Sequence, residues 1–326
     1  HRDGPDPTPA RPGQASGQAP GETRGNYRAG DAWPRRHPRG GPGPGDGECH
    51  DGGRGDDGDQ PTAAAQPTTK RLFELLDLEH EDQDLYIGLL VAVGLQPAGS
   101  VTQPQREALA DAALKGRLYK RTASDLVRAY AAHTLGRIGT ADDIRALESI
   151  LTARRHVTRN MQRSAAIGLG LLGRRCDGNA RVDISKVLIC CFEKVKDNST
   201  KNFALMGLAD LLIQDIEDGQ VRVANRTQAD ELLLAEAEQG SYMHKPFAAL
   251  ALGRILRGVH DGVESPAYGG FTVRALRILR SGVVSTKLDT KTRGAFCTAL
   301  GYARDQESVD ALCAIVADPR GERDLR

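Results

Sequence analysis

The sequence has few aromatic side chains, no long apolar run and almost no net charge. Aromatic residues make up 4% of the 326 residues, and the formal net charge is +1 at pH 7. No stretch of about 18 or more consecutive apolar residues occurs, so the sequence predicts no membrane-spanning helix. The near-neutral charge balance argues against a protein that coats polyanions through its overall charge.

The sequence also lacks the motifs of common catalytic and metal sites. It holds six cysteines but no Cys-x-x-Cys pair, which argues against a zinc site and against a disulfide framework. No P-loop, Gly-x-Ser-x-Gly or His-Glu-x-x-His motif occurs. Gly168, Gly170 and Gly173 match Gly-x-Gly-x-x-Gly, but they lie inside a predicted helix and not in a phosphate-binding turn. We therefore predict no enzymatic activity, no cofactor and no bound metal.

The first 68 residues differ sharply in composition from the rest of the chain. Residues 1–68 contain no Val, Ile, Leu, Phe or Met, and they hold 15 Gly and 11 Pro. Such a segment cannot bury enough apolar surface to offset its conformational entropy, so we predict a disordered leader. The chain begins at His1 and not at Met, so we expect its natural start to lie upstream. A cytoplasmic location is the default, and export stays open.

An internal repeat runs through residues 69–326. Its clearest copies are Ala131–Gly139 and Ala165–Gly173, where two alanines precede a Leu-Gly pair and a further apolar residue. Related copies recur at intervals of 34 to 48 residues. They lie at residues 89–94, 204–209, 248–256 and 296–301. A period of this length is the signature of stacked two-helix units, and the small residues would let neighbouring helices approach closely.

Each copy after the first is followed by a second amphipathic segment. The segments are Asp142–Thr152, Asp183–Val195, Gln228–Glu238, Phe271–Arg280 and Glu307–Ala317. Their apolar residues recur with helical spacing. This predicts that Val273, Leu276 and Leu279 face inward, and in the last segment Val309, Leu312, Cys313 and Val316. Neither helix of a unit could bury its apolar face alone, so the units must stack. The sequence predicts an all-α solenoid of about six two-helix repeats behind the leader.

The cysteines in this array are predicted to be free thiols. Cys190 and Cys191 are adjacent in one predicted helix, with Cys191 on its inward face. Free Cys commonly behaves as a small buried apolar residue. Cys297 and Cys313 lie in the two helices of the last unit, so a bridge between them stays open as an alternative.

The segments of the form Ala-Ala-x-x-Leu-Gly-x-Ile-Gly, followed by a helix that opens with Asp142-Asp143-Ile144, resemble HEAT-like repeats, including those of the bacterial PBS-lyase type. The resemblance covers roughly residues 70–326. It implies an α-solenoid fold, and it does not specify an activity, because HEAT-like arrays serve unrelated roles. We expect further repeats beyond Arg326.

Arginine clusters are the candidate binding residues. Arg274, Arg277 and Arg280 recur on one side of a second helix. A second cluster spans the turn between two units and the start of the next helix: Arg154, Arg155, His156, Arg159 and Arg163. If second helices line the concave face, these cations could bind an acidic peptide or a phosphate backbone. The alternative is a solvated helix face.

We interpret the array as a non-catalytic adaptor that binds a protein partner on its concave surface. Two other readings stay open: a nucleic-acid-binding HEAT-like protein of the glycosylase type, and a protein similar to phycobilin lyases. Residues 69–326 carry a net charge of only +3, and acidic residues interrupt the basic ones. We therefore do not expect a nucleic-acid partner.

Overall fold

The computed structural model describes residues 65–78, 82–119, 121–153, 155–219, 223–261 and 268–317. The predicted leader lies outside the described residues except at its end, because the first helix begins at Ala65. Arg154 also lies outside them.

The described residues form thirteen α-helices. They are α1 (Ala65–Asp77), α2 (Gln83–Gly94), α3 (Gln103–Lys115), α4 (Asp125–Ile138), α5 (Ile144–Thr152), α6 (Arg159–Gly173), α7 (Gly178–Lys194), α8 (Asn198–Glu217), α9 (Val223–Gln239), α10 (Lys245–Asp261), α11 (Gly269–Val284), α12 (Thr290–Ala303) and α13 (Val309–Ala317). Single 3₁₀ turns precede α3, α5 and α13, at Ala98–Ser100, Ala141–Asp143 and Gln306–Ser308. Between α3 and α4, the two-residue strands β1 (Arg117–Leu118) and β2 (Arg121–Thr122) pair antiparallel, with Leu118 opposite Arg121.

Short polar side chains set where the helices of the array begin. Asp197 precedes α8 and accepts a hydrogen bond from the backbone N–H of Thr200 at 2.9 Å. Asp289 does the same for α12 through the N–H of Thr292 at 3.0 Å. These N-caps satisfy backbone donors that have no partner within the helix. At the other end of a helix, Gly116 takes the left-handed conformation (φ 66°) and terminates α3.

The helices pack in two layers of repeating units. All six copies of the repeat lie in α2, α4, α6, α8, α10 and α12, and each of these helices packs on the next one in the series. The second helices, α3, α5, α7, α9 and α11, likewise contact one another in sequence. The predicted all-α solenoid is confirmed.

The core follows the predicted faces in the central units and departs from them in the last two. Ile144, Leu147, Ile150 and Leu151 of α5 are all buried, as their spacing predicts. Val273 in α11 was expected to face inward, but it is 68% exposed. Leu279 is buried and Leu276 packs against the core, as predicted, and Phe271, Ala275 and Ile278 complete the buried face of the helix.

Helix α13 is the outermost helix in the described part of the chain. Leu312 and Ile315 pack against the core, whereas Val309, Cys313 and Val316 are exposed. Leu312 therefore packs inward as predicted, whereas the predicted burial of Val309, Cys313 and Val316 is wrong. Within the described ranges, no further layer packs on their side of the helix.

Buried polar contacts tie successive units together. Arg181 is 3% exposed, and its guanidinium lies 2.7 Å from both Asp215 and Asp218. The guanidinium also donates to the carbonyl of Cys176 at 2.8 Å. These contacts join α7 to the end of α8. Because a buried charge is tolerated only when it is paired, the three residues fix the spacing of the two helices.

Candidate ligand-binding cleft

The three arginines predicted on α11 are paired with carboxylates. Arg274 donates to Glu231 of α9 at 3.0 Å, and its salt bridge raises the pKa of the guanidinium. Arg277 lies 4.0 Å from Glu238 of the same helix. These contacts hold α11 against α9.

Arg280 is paired on the other side of α11. It donates to Asp305 at 2.8 Å and to Glu307 at 2.6 Å, just before α13. Arg274, Arg277 and Arg280 therefore have a structural role, because they connect neighbouring units through ion pairs. Their binding to a partner stays a prediction.

The second predicted cluster has a different environment. Arg155 is exposed in the turn between α5 and α6, and Arg159 is exposed at the start of α6. Arg159 lines a cleft of about 1120 Å³. The cleft lies where the end of α5, the start of α6, the end of α7 and the start of α8 come together. The sequence did not reveal it, because its residues come from five separate segments.

The wall of the cleft combines apolar and cationic side chains. Its apolar members come from α5 to α7, their connecting turns and the turn before α10: Leu151, Val157, Val187, Val195 and Met243. Its cations are Arg159, Lys194 and Lys196. Asn198 and Ser199 add the first turn of α8, where the helix dipole places partial positive charge.

The cleft lining includes one carboxylate, and that carboxylate is already paired. Asp197 accepts two hydrogen bonds from the guanidinium of Arg163, at 2.9 and 3.0 Å, as well as the N-cap bond from Thr200. Arg163 holds the pKa of Asp197 well below its usual range. Among the described residues, neither Arg159, Lys194 nor Lys196 forms an ion pair. The cleft therefore carries an excess of positive charge.

Two thiols line the cleft. Cys190 is half-buried, while Cys191 is buried beside it, and burial raises the pKa of Cys191 to about 12. The Cys191 thiol therefore stays protonated near neutral pH, as a structural cysteine does. All described cysteines are free, including Cys297 and Cys313, for which a bridge was the alternative.

A buried polar cluster lies directly behind the cleft wall. Nδ1 of His244 lies 2.8 Å from Oδ1 of Asn202, and Asn202 donates through Nδ2 to the carbonyl of Met243 at 3.1 Å. The ring of His244 meets the edge of Phe192 at 5.4 Å between centroids. Nζ of Lys201 lies 5.0 Å from the centroid of the Phe192 ring. The cluster connects α7, α8 and the turn before α10.

Neither a metal-binding cluster nor a membrane-spanning helix occurs among the described residues. Nowhere in the described ranges do three His, Cys, Asp or Glu side chains gather as a set that could hold a metal ion. None of the described helices combines the length and apolar character that crossing a bilayer requires.

Comparison with known proteins yields a distant structural similarity. No family model matches the sequence, and no curated protein matches it. Among solved structures, the chain is similar to human deoxyhypusine hydroxylase in complex with glycerol, with a TM-score of 0.34 and 15% sequence identity. The match covers 81% of this chain and 93% of the other.

This similarity corrects one prediction from the sequence. The structural neighbour is an enzyme with an all-helical repeat fold, which stands against our expectation of a non-catalytic adaptor without enzymatic activity. We had expected no enzymatic activity because the sequence lacks catalytic motifs. This reasoning fails because a helical array can build a site from distant residues that form no local motif. At this TM-score the likeness assigns no activity or substrate to the present chain.

Proposed function

We propose that the cleft between α5, α6, α7 and α8 is a binding site for small organic anions that carry an apolar body. The observation that carries this proposal is the charge arrangement of the lining. Arg159, Lys194 and Lys196 form no ion pair among the described residues, and the neighbouring Asp197 is neutralised by Arg163. Cations without a partner carboxylate leave their charge available to a ligand anion.

The size and apolar wall of the cleft define the rest of the ligand. A volume of about 1120 Å³ is slightly larger than ordinary small-molecule sites, which span about 300–1,000 Å³. Val157, Val187 and Met243 offer apolar surface to the body of the ligand. We therefore assign the cleft to molecules that combine a carboxylate, phosphate or sulfonate with an apolar portion.

We also propose that the repeats are HEAT-like units of the PBS-lyase type. The support is the recurrence of the Leu-Gly pattern in the first helix of successive units, together with the two-layer packing of the described helices. This proposal concerns only the type of repeat and does not depend on which ligand the cleft binds.

The charge requirement can be tested with a dye of the proposed class. The dye 1-anilinonaphthalene-8-sulfonate carries one sulfonate on an aromatic body, and N-phenyl-1-naphthylamine is its neutral analogue. We expect the full chain to bind the anionic dye more tightly than the neutral one, with an affinity that weakens as salt is added. Isothermal titration calorimetry gives the Kd and the number of sites.

Reversing the charge of two cleft residues tests whether the cleft cations bind the anionic dye. The double variant Lys194→Glu/Lys196→Glu should weaken binding of the anionic dye by about tenfold or more, since each reversal replaces attraction with repulsion at short range. Lys186→Glu is the control, because Lys186 lies on the same helix but pairs with Asp183 outside the cleft. Equal affinity in wild type and double variant would contradict the proposal.

A further inference from the structure

Asn202 connects α8 to the turn that carries Met243. Its amide nitrogen donates to the Met243 carbonyl at 3.1 Å, and its amide oxygen faces Nδ1 of His244 at 2.8 Å. Asn202 is 5% exposed and His244 is 9% exposed, so bulk water does not compete for these bonds. Met243 itself is 38% exposed and lines the cleft.

The two hydrogen bonds fix the protonation of the His244 ring. A backbone carbonyl can only accept, so the Asn202 amide must present Nδ2 to Met243 and Oδ1 to His244. The amide oxygen in turn requires a proton on Nδ1 of His244. Burial, followed by the nearby charge of Lys201, lowers the pKa of His244, which keeps the ring neutral. The proton therefore sits on Nδ1, and Nε2 is the unprotonated nitrogen.

The backbone around Met243 is secured independently of Asn202. The N–H of His244 donates to the carbonyl of Ser241 at 3.0 Å, and the N–H of Ala248 donates to the carbonyl of His244 at 2.9 Å. The turn and the start of α10 thus hold together through their own backbone bonds. The Asn202 amide adds a bond from α8, the helix whose first turn lines the cleft.

We propose that Asn202 and His244 act as a lock that positions Met243 in the cleft wall and so sets the affinity for the apolar body of the ligand. This inference rests on the proposed function of the cleft. Asn202 and His244 are positioning residues, because they act through Met243. The cations Lys194 and Lys196 lie elsewhere on the lining, so the lock controls the apolar contact and leaves the anionic contact intact.

The test is a double-mutant cycle on binding of 1-anilinonaphthalene-8-sulfonate to the full chain. We expect Asn202→Ala to raise the Kd about fivefold, and Met243→Ala to raise it by a similar factor. In the Met243→Ala background, Asn202→Ala should add little further loss, because the side chain that it positions is already gone. If the two substitutions weaken binding additively, or if Asn202→Ala leaves the Kd unchanged, the proposed role of Asn202 is wrong.

Two measurements distinguish the loss of Met243 positioning from a general disruption of the cleft. In Asn202→Ala, the dependence of log Kd on log salt should equal that of wild type, because the cleft cations are retained. A flattened salt dependence would mean that the whole cleft has changed, and it would overturn the inference. In wild type, ¹⁵N NMR should show the His244 proton on Nδ1, and the resonance can be assigned by its loss in His244→Phe. A proton on Nε2 would likewise overturn the inference.

The experiments distinguish a failure of the Asn202–His244 proposal from a failure of the proposed binding site. If wild type does not bind the anionic dye, the proposed function fails and the lock fails with it. If wild type binds and Lys194→Glu/Lys196→Glu weakens binding while Asn202→Ala does not, only the lock fails. Circular dichroism of each variant checks that the array remains folded.

Discussion

Gly170 of α6 lies against Gly207 of α8 so closely that a β-carbon on Gly170 would stand 2.7 Å from the Gly207 Cα. The same close approach recurs one unit earlier, where a β-carbon on Gly136 would overlap the backbone of Gly168. The expectation that small residues in the first helices permit close packing between units is confirmed at these positions. Backbone contact at successive interfaces explains why glycine stands in mid-helix despite its low helix propensity.

Replacing Gly170 should therefore destabilise the array. The Gly170→Ala variant gains helix propensity but must push α6 and α8 apart, so we expect a net loss of about 1 kcal/mol or more in the free energy of unfolding. Gly88→Ala in α2 is the control, because no heavy atom lies within 4 Å of the added β-carbon. The control should be stabilised by up to about 1 kcal/mol. Urea unfolding measures both, and equal shifts would argue against backbone packing at Gly170.

Arg181 should be among the most sensitive polar positions. Arg181→Met removes the buried guanidinium that pairs with Asp215 and Asp218, so we expect a loss of about 2–4 kcal/mol in unfolding free energy. Lys186→Met is the matched control on the same helix, since its pair with Asp183 is exposed and contributes about 0–1 kcal/mol. Chemical denaturation distinguishes the two. A loss below about 1 kcal/mol in Arg181→Met would show that the network stabilises little.

Acid should weaken the junction between α6 and α8 through Asp197. Its pKa in the folded state is held below the ordinary value by Arg163, so the ionised carboxylate stabilises the fold at any pH above the unfolded pKa. This stabilisation is lost as the pH falls below about 4, towards the folded pKa. We expect Asp197→Asn to be less stable than wild type at pH 7, with the gap narrowing at pH 3. A gap that is independent of pH between 7 and 3 would refute the assignment.

The cysteines should differ in reactivity towards thiol reagents. Cys191 has a pKa of about 12 and is buried, so almost no thiolate is present at pH 8. Cys313 is exposed on α13 and should be labelled by iodoacetamide before Cys191. Peptide mapping by mass spectrometry follows each site with time. Labelling of Cys191 as fast as Cys313 in the folded protein would contradict the burial of Cys191.

The helices of the array follow from local patterns. The Leu-Gly copies predicted six first helices, and all six lie in helices of the described chain. In α5, the spacing of Ile144, Leu147, Ile150 and Leu151 predicted the buried face correctly. These predictions succeed because a helix buries residues that are three and four positions apart, and this spacing can be read within a single segment.

Tertiary packing decided the rest, because it joins residues that no local pattern relates. Val273 of α11 lies in solvent because the neighbouring helices pack on the face that carries Ala275, Ile278 and Leu279. Arg280 meets Asp305 from the following unit, so a row that reads as a free basic surface is in fact paired. The cleft brings Arg159 and Lys194, from the two helices of one unit, together with Met243 from the turn before α10. The stacking distance and rotation between units create such a site, and both depend on the summed packing of all the neighbouring side chains.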